Sequence, residues 1–345
     1  MKSGEQGVRK KISVQSVVKG PNPLPLTPVP LPHADYNSTQ HIELVIPQQY
    51  AGLRLDQALQ RLLPEFSRSR LQNWIRARQV WQDGLPAVTR QKVGGGEKIR
   101  VAAQPSAEVL AHMPEEIPLD IVYEDSTLLV INKPRGMVVH PGSGNWRGTL
   151  LNALLAHAPQ LANIPRAGIV HRLDKETSGL LAVAKTLAAQ TNLVRQLQAH
   201  TVKREYLALV HGRLRSDGKV EAPIGRHPVK RTKMAVVARG KEAVTHYQVL
   251  ERFAACTLLC CRLETGRTHQ IRVHMQSIGH PLVGDPVYSG TNKAPVFPRQ
   301  ALHAFRLSLL HPQTQKIMHW HAEIPQDLRQ LLNALRAESA GKEQR

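Results

Sequence analysis

The chain has 345 residues, room for about two domains on the usual size prior. Lys and Arg number 46 against 26 Asp and Glu, a formal net charge of +20. A field of that sign points to a polyanionic partner, nucleic acid first and an anionic membrane surface second. No run approaches the ~18 apolar residues of a spanning helix, and no strongly basic amphipathic helix stands out, so a membrane partner is excluded. Residues Lys2, Arg9, Lys10, Lys11 and Lys19 fall in a stretch without an apolar core, unlike a secretory signal. The three cysteines, Cys256, Cys260 and Cys261, are an odd number in an apolar segment. They read as small buried hydrophobes in a reducing cytoplasm rather than a disulfide framework.

Residues 1–40 form a basic, then proline-rich extension, with six prolines between Pro21 and Pro32, and read as disordered. From Gly52 the apolar residues Leu55, Leu59, Leu62 and Leu63 recur at helical spacing until Pro64. Ser67 caps a second helix whose stripe is Leu71, Trp74 and Ile75, with Arg68, Arg70, Arg76 and Arg78 around it. A short strand at Gln79–Trp81, a tight turn at Asp83-Gly84, and a strand after Gly94-Gly95-Gly96 complete a small basic module over residues 50–103. Residues 104–117 read as a linker. A second domain, residues 118–338, opens with a hairpin turning at Glu124-Asp125-Ser126, followed by a helix over Thr149–Ala156.

The stretch from Gly168 to Lys185 packs Asp174, charged neighbours and glycines between two apolar runs. If Ile169–Asp174 is extended, Arg172 and Asp174 share one face and His171 the other, which sets a cation beside a carboxylate at a strand end. Thr177-Ser178-Gly179 then reads as a turn before a buried strand. A reactive aspartate held by rigid flanks is one reading; an aspartate that only caps a turn is the other. Beyond it lie a helix over 187–197, a strand Lys203–Val210 with Tyr206, Ala208 and Val210 on one face, and a basic loop, Arg226–Met234, suited to phosphate contacts. Two further strands cover 244–250 and 256–263. Thr268 reads as the cap of a helix with Ile271, Met275 and Ile278 on one side, and Arg267 before it can reach a carboxylate. His269 and His274 are five apart, not the four of a helical zinc pair, so no metal site is assigned.

The block His171-Arg172-Leu173-Asp174, together with Lys133-Pro134, His140-Pro141, Lys203-Arg204-Glu205-Tyr206, Gly266-Arg267-Thr268-His269-Gln270-Ile271-Arg272 and Gly279-His280-Pro281, resembles the RluA/RluD family of RNA pseudouridine synthases. Leu55-Asp56 with Ser67-Arg68-Ser69-Arg70 is similar to the S4 RNA-binding domain. The resemblance implies an α+β protein, a small S4 domain followed by a catalytic domain with a mixed, largely antiparallel sheet and a central cleft. It implies isomerisation of uridine without a cofactor, Asp174 as the reactive carboxylate, Arg267 as its ion-pair partner and Tyr206 against the base. Arg172, His171, Arg68, Arg70 and Arg76 are then expected to bind substrate. The implied partner of a monomeric, cytoplasmic enzyme is large-subunit ribosomal RNA, at the stem-loop called helix 69; other ribosomal or transfer RNA uridines are the alternative. A non-catalytic RNA-binding assembly factor would share the charge and the S4 module, but not an intact set of Asp174, Tyr206 and Arg267.

Overall fold

A computed structural model describes residues 40–105, 107–142, 144–290 and 295–343. The expected 1–40 extension lies outside these except for Gln40, which opens the first strand. The N-terminal part contains β1 (Gln40–Val45), α1 (Leu55–Leu62), α2 (Arg68–Arg76), β2 (Val80–Gln82), β3 (Leu85–Pro86) and β4 (Lys98–Ala103). Its sheet runs β1-β4-β2-β3, antiparallel throughout. Leu55 and Leu59 from α1 meet Leu71, Trp74 and Ile75 from α2 over Val80 and Val101 of the sheet, the two helical stripes expected from spacing. Ser67 accepts from the Arg70 amide and starts α2. Asp83 and Gly84 both take positive φ, the two-residue turn that matches strand twist.

The linker carries α3 (Ala107–Ala111), and the side-chain amide of Asn152 ties it down by donating to the carbonyls of Leu110 and Met113. Five short residues between prolines give no legible period, which is why composition alone suggested plain coil. The second part follows with β5 (Ile121–Glu124), β6 (Leu128–Lys133), α4 (Leu150–His157), β7 (Ser178–Ala184), α5 (Leu187–Gln198), β8 (Lys203–His211) and β9 (Gly218–Glu221). A hairpin, β10 (Ile224–Arg226) and β11 (Met234–Val236), carries the basic loop. Then come β12 (Val244–Arg252), β13 (Cys256–Leu263), α6 (Gln270–Ser277), β14 (Leu302–Leu310), β15 (Ile317–His321) and α7 (Gln326–Glu343).

One large mixed sheet runs β5-β6-β7-β14-β8-β13-β12-β9, with β15 also on β14. Every pairing is antiparallel except β7 with β14, which meet at Ser178–His303 and Gly179–Ala304. All seven residues of β7 are buried because both faces are covered: Leu181 and Val183 join the core with α4, while Leu180, Ala182 and Ala184 pack against Ala189 and Leu193 of α5. Gly179 sits where β14 crosses closest, at φ +116°, and a Cβ there would collide with the Ala304 backbone.

Three local expectations change. Residues 169–174 are an irregular extended segment, not a strand: Ile169 alone bridges Val183, and beyond it the His171 imidazole Nε2 takes the Ala182 amide at 3.0 Å. A side chain thus supplies what a strand partner would. The turn falls at Lys175-Glu176, closed by the Thr177 amide on the Asp174 carbonyl, and Ser178 and Gly179 already belong to β7. Finally, Thr268 does not cap α6. His269 holds the N-cap position with φ 57°, and the Gln270 carboxamide oxygen accepts from the Arg267 amide and the Thr265 hydroxyl instead.

Candidate active site

Two segments far apart in the chain build one cavity of about 510 Å³. One is the 169–177 segment before β7; the other runs from the end of β13 into α6, with β8 forming the floor between them. Asp174 is the single carboxylate among the lining residues, facing five arginines: Arg166, Arg172, Arg204, Arg267 and Arg272. Glycoside hydrolysis uses two carboxylates flanking the bond, and this wall offers one.

Asp174 is held from behind. Arg272 Nη1 donates to its Oδ2 at 3.0 Å, and the opposite edge of the same guanidinium grips Asp285 with Nε and Nη2 at 2.7 and 2.9 Å. Arg272 is 4% exposed and Asp285 1%. Burial works against the charge of Arg272, but the Asp285 and Asp174 carboxylates outweigh it and hold its pKa above the ordinary value. A buried, bidentate guanidinium is fixed in angle, so the oxygen it meets on Asp174 is fixed too. The Tyr288 ring lies under Arg272 at 5.1 Å, and its hydroxyl contacts His269 Nδ1 at 2.9 Å while the other nitrogen of His269 stands 3.9 Å from Asp174.

The backbone after Asp174 is also clamped. Lys133 Nζ, almost fully buried, donates to the carbonyls of Pro134, Met137 and Lys175. Arg299 donates to the Glu176 carbonyl at 3.1 Å and pairs through its other edge with Asp327 of α7. Burial pushes the Lys133 ammonium down to about 7, partly offset by Glu176 and Asp174. A buried amine and a buried guanidinium therefore hold the two carbonyls that follow the carboxylate. Tyr206 stands on β8 with its ring in the core and on the cavity wall; burial raises its phenol above the ordinary value, with Arg204 opposing and Asp174 adding.

Residues 127–277 match the family described as RNA pseudouridylate synthase. The chain is 61% identical over 302 residues to Ribosomal large subunit pseudouridine synthase D of Nitrosomonas europaea, covering 86% of this chain and 88% of that protein. The chain belongs to the RNA pseudouridylate synthase family. A protein of the same name from Escherichia coli O157:H7 is 51% identical over 314 residues, 87% of this chain and 96% of that one. Among solved structures, Human RNA Pseudouridylate Synthase Domain Containing 1 superposes with a TM-score of 0.50 at 30% identity, covering 65% of this chain and 96% of that chain.

Within this pseudouridylate synthase, Asp174, Tyr206, Arg267, Arg172 and His171 do come to one cavity. The ion pair expected between Asp174 and Arg267 does not form. Arg267 is exposed at the mouth and donates through Nε to the Glu242 carbonyl; Arg272, five residues on, takes its place. The reason is helical direction: position 267 precedes α6, whereas 272 lies on the buried side with Ile271 and Met275. An arginine on an apolar helix face was the available signal. Arg172 is exposed and unpaired with Asp174. His171 has become a backbone acceptor, and burial drives its pKa down to about 3, with Arg204 adding, so it stays neutral. In the N-terminal part, Arg68 and Arg70 are engaged internally: Arg68 pairs with the buried Asp56, and Arg70 reaches the Gln104 carbonyl and stacks on Phe66 and Trp74. Arg76 is exposed at the end of α2.

Proposed function

We propose that this protein isomerises uridine to pseudouridine in large-subunit ribosomal RNA, with the helix 69 stem-loop as its target and Asp174 as its reactive carboxylate. The observation that carries the reading is a lone carboxylate, locked by Arg272 beside Tyr206, in a cavity that five arginines also line. Names borne by its relatives supply the RNA. Asp174 either bonds to C1′ of the ribose or takes the C2′ proton; both are reactions of a carboxylate oxygen, and Arg272 fixes how that carboxylate is presented. Tyr206 lies against the base and assists removal of the C5 proton after reattachment. Arg172 and Arg267, exposed at the mouth, hold the phosphates of a nucleotide extruded from its stack, and His171 lines the same pocket as a neutral donor. The 50–103 module acts as an S4-type RNA-binding domain in which Arg76 contacts the backbone directly and Arg68 and Arg70 shape the helix that presents it. The protein acts as a cytoplasmic monomer and needs no cofactor.

The test uses ribosomal RNA free of pseudouridine, in buffer with a chelator. Wild-type protein should convert discrete uridines, mapped by chemical labelling and primer extension. Asp174→Asn should bind the RNA as tightly and leave every uridine unchanged; retained conversion would remove Asp174 from the chemistry. Tyr206→Phe should keep RNA affinity and lose most of the rate.

A further inference from the structure

Three arginines of the described chain are buried: Arg204, Arg272 and Arg299. Arg272 carries Asp285 and Asp174, and Arg299 carries Asp327. Arg204, 7% exposed, has no carboxylate among the described residues. Its guanidinium makes one hydrogen bond, from Nη2 to the Glu264 carbonyl at 3.2 Å, and its Nε is buried with no partner. A buried charge left this poorly compensated costs free energy, so a native chain that keeps one has a use for it.

The surroundings say what that use is. Arg204 and Tyr206 alternate onto the same side of β8 and both line the cavity of Asp174. Gly266 leaves room for the guanidinium: a Cβ there would stand 2.7 Å from Nη1. His171 Nδ1 is a second buried group without a partner, and because Nε2 accepts from Ala182, Nδ1 carries the hydrogen. Two unused donors therefore belong to the interior wall beside the tyrosine, whereas Arg166, Arg172 and Arg267 are exposed at the mouth, where phosphates pass. The interior donors fit the other acceptor-bearing part of a nucleotide, its base.

We propose that Arg204 is a further catalytic residue: it hydrogen-bonds a carbonyl oxygen of the uracil and stabilises the base as it leaves C1′. This rests on the uridine-isomerising reading of the cavity. When the C1′–N1 bond breaks, its electron pair goes to the base and spreads from N1 onto O2 and O4. The ribose is satisfied by a bond from an Asp174 oxygen to C1′, or by loss of the C2′ proton to that carboxylate and a C1′=C2′ double bond. C5 then bonds to C1′, either displacing the Asp174 oxygen, which leaves with the electron pair of the broken C1′–O bond, or adding to the glycal as C2′ regains its proton; C5 then releases its proton and N1 takes one up. Reactant and product have the same composition. A donor at O2 or O4 is worth more once the ring is anionic than before, which is the condition for lowering the barrier.

The experiment compares single-turnover C1′–N1 cleavage by wild type, Arg204→Met and Arg204→Lys on RNA carrying uridine or 5-fluorouridine at the modified position. Losing one donor to a developing anion costs on the order of 10²-fold in rate, so Arg204→Met should fall that far on uridine with unchanged RNA affinity. Arg204→Lys should lie between. Fluorine stabilises the ring anion by itself, so the deficit should shrink on 5-fluorouridine. An equal deficit on both substrates, no deficit, or a loss confined to RNA affinity would overturn the proposal. If Arg204→Met does not fold, Arg204→Lys is read by the same comparison. A wild-type protein that leaves uridine intact would instead refute the underlying function.

Discussion

At the residue scale, the site turns on which arginine meets Asp174. Arg272 does so because Asp285 holds its far edge, and Asp285 itself is fixed by the amides of Val287 and Tyr288. Asp285→Asn keeps the shape and those amide contacts but weakens the grip on Arg272 Nε. We expect the isomerisation rate to drop on the order of 10–100-fold, as for other positioning partners behind a reactive group, with RNA affinity intact. Single-turnover kinetics alongside filter binding checks the split. Arg272→Lys should fare worse, since an ammonium cannot bridge two carboxylates at fixed angles.

At the element scale, the helical pair α1 and α2 sets a buried ion-pair cluster beside an exposed arginine. Asp56 is fully buried on α1 and accepts from Arg54, Arg68 and Gln72. Burial would raise its carboxyl pKa, yet the bonds from Gln72, Arg68 and Arg54 prevail and hold it below the ordinary value. Asp56→Ala strands those donors and should cost about 1–3 kcal/mol, read as an earlier denaturant transition of the full chain. Arg76→Glu, on an exposed position, should leave stability alone. It should weaken RNA binding and reduce the slope of log affinity against log salt by about 1.

At the scale of the whole molecule, buried and half-buried histidines set the acid limit. Burial pushes His140 and His303 down to about 4 and His171 to about 3, each below an ordinary value of 6.5. Between those values the unfolded chain binds protons that the folded chain refuses, so stability rises with pH there and is lost as pH falls below about 6.5. Asp125 and Asp327, whose pKa values lie below the carboxylate range, extend the loss further into acid. The melting temperature should therefore decline from about pH 6.5 downward, well before ordinary carboxylates titrate. A melting temperature flat from pH 7 to 5 would show that these imidazoles are accessible to protons when folded.

Much of this protein is determined by local sequence. Helical spacing at Leu55–Leu62 and Leu71–Ile75, the alternation along β8 and the apolar run of β7 each encode their element, because every one buries a face with a fixed period. The resemblance carried by His171-Arg172-Leu173-Asp174 likewise singled out Asp174, the carboxylate that lines the cavity and is proposed to react. Tertiary structure alone decided its surroundings. Position 272 rather than 267 meets Asp174, the segment before β7 is held by an imidazole instead of a strand, and Lys133 and Arg299 clamp the carbonyls behind it. These contacts join residues up to 123 positions apart, and their geometry depends on how β14 and α6 pack, which no local period records.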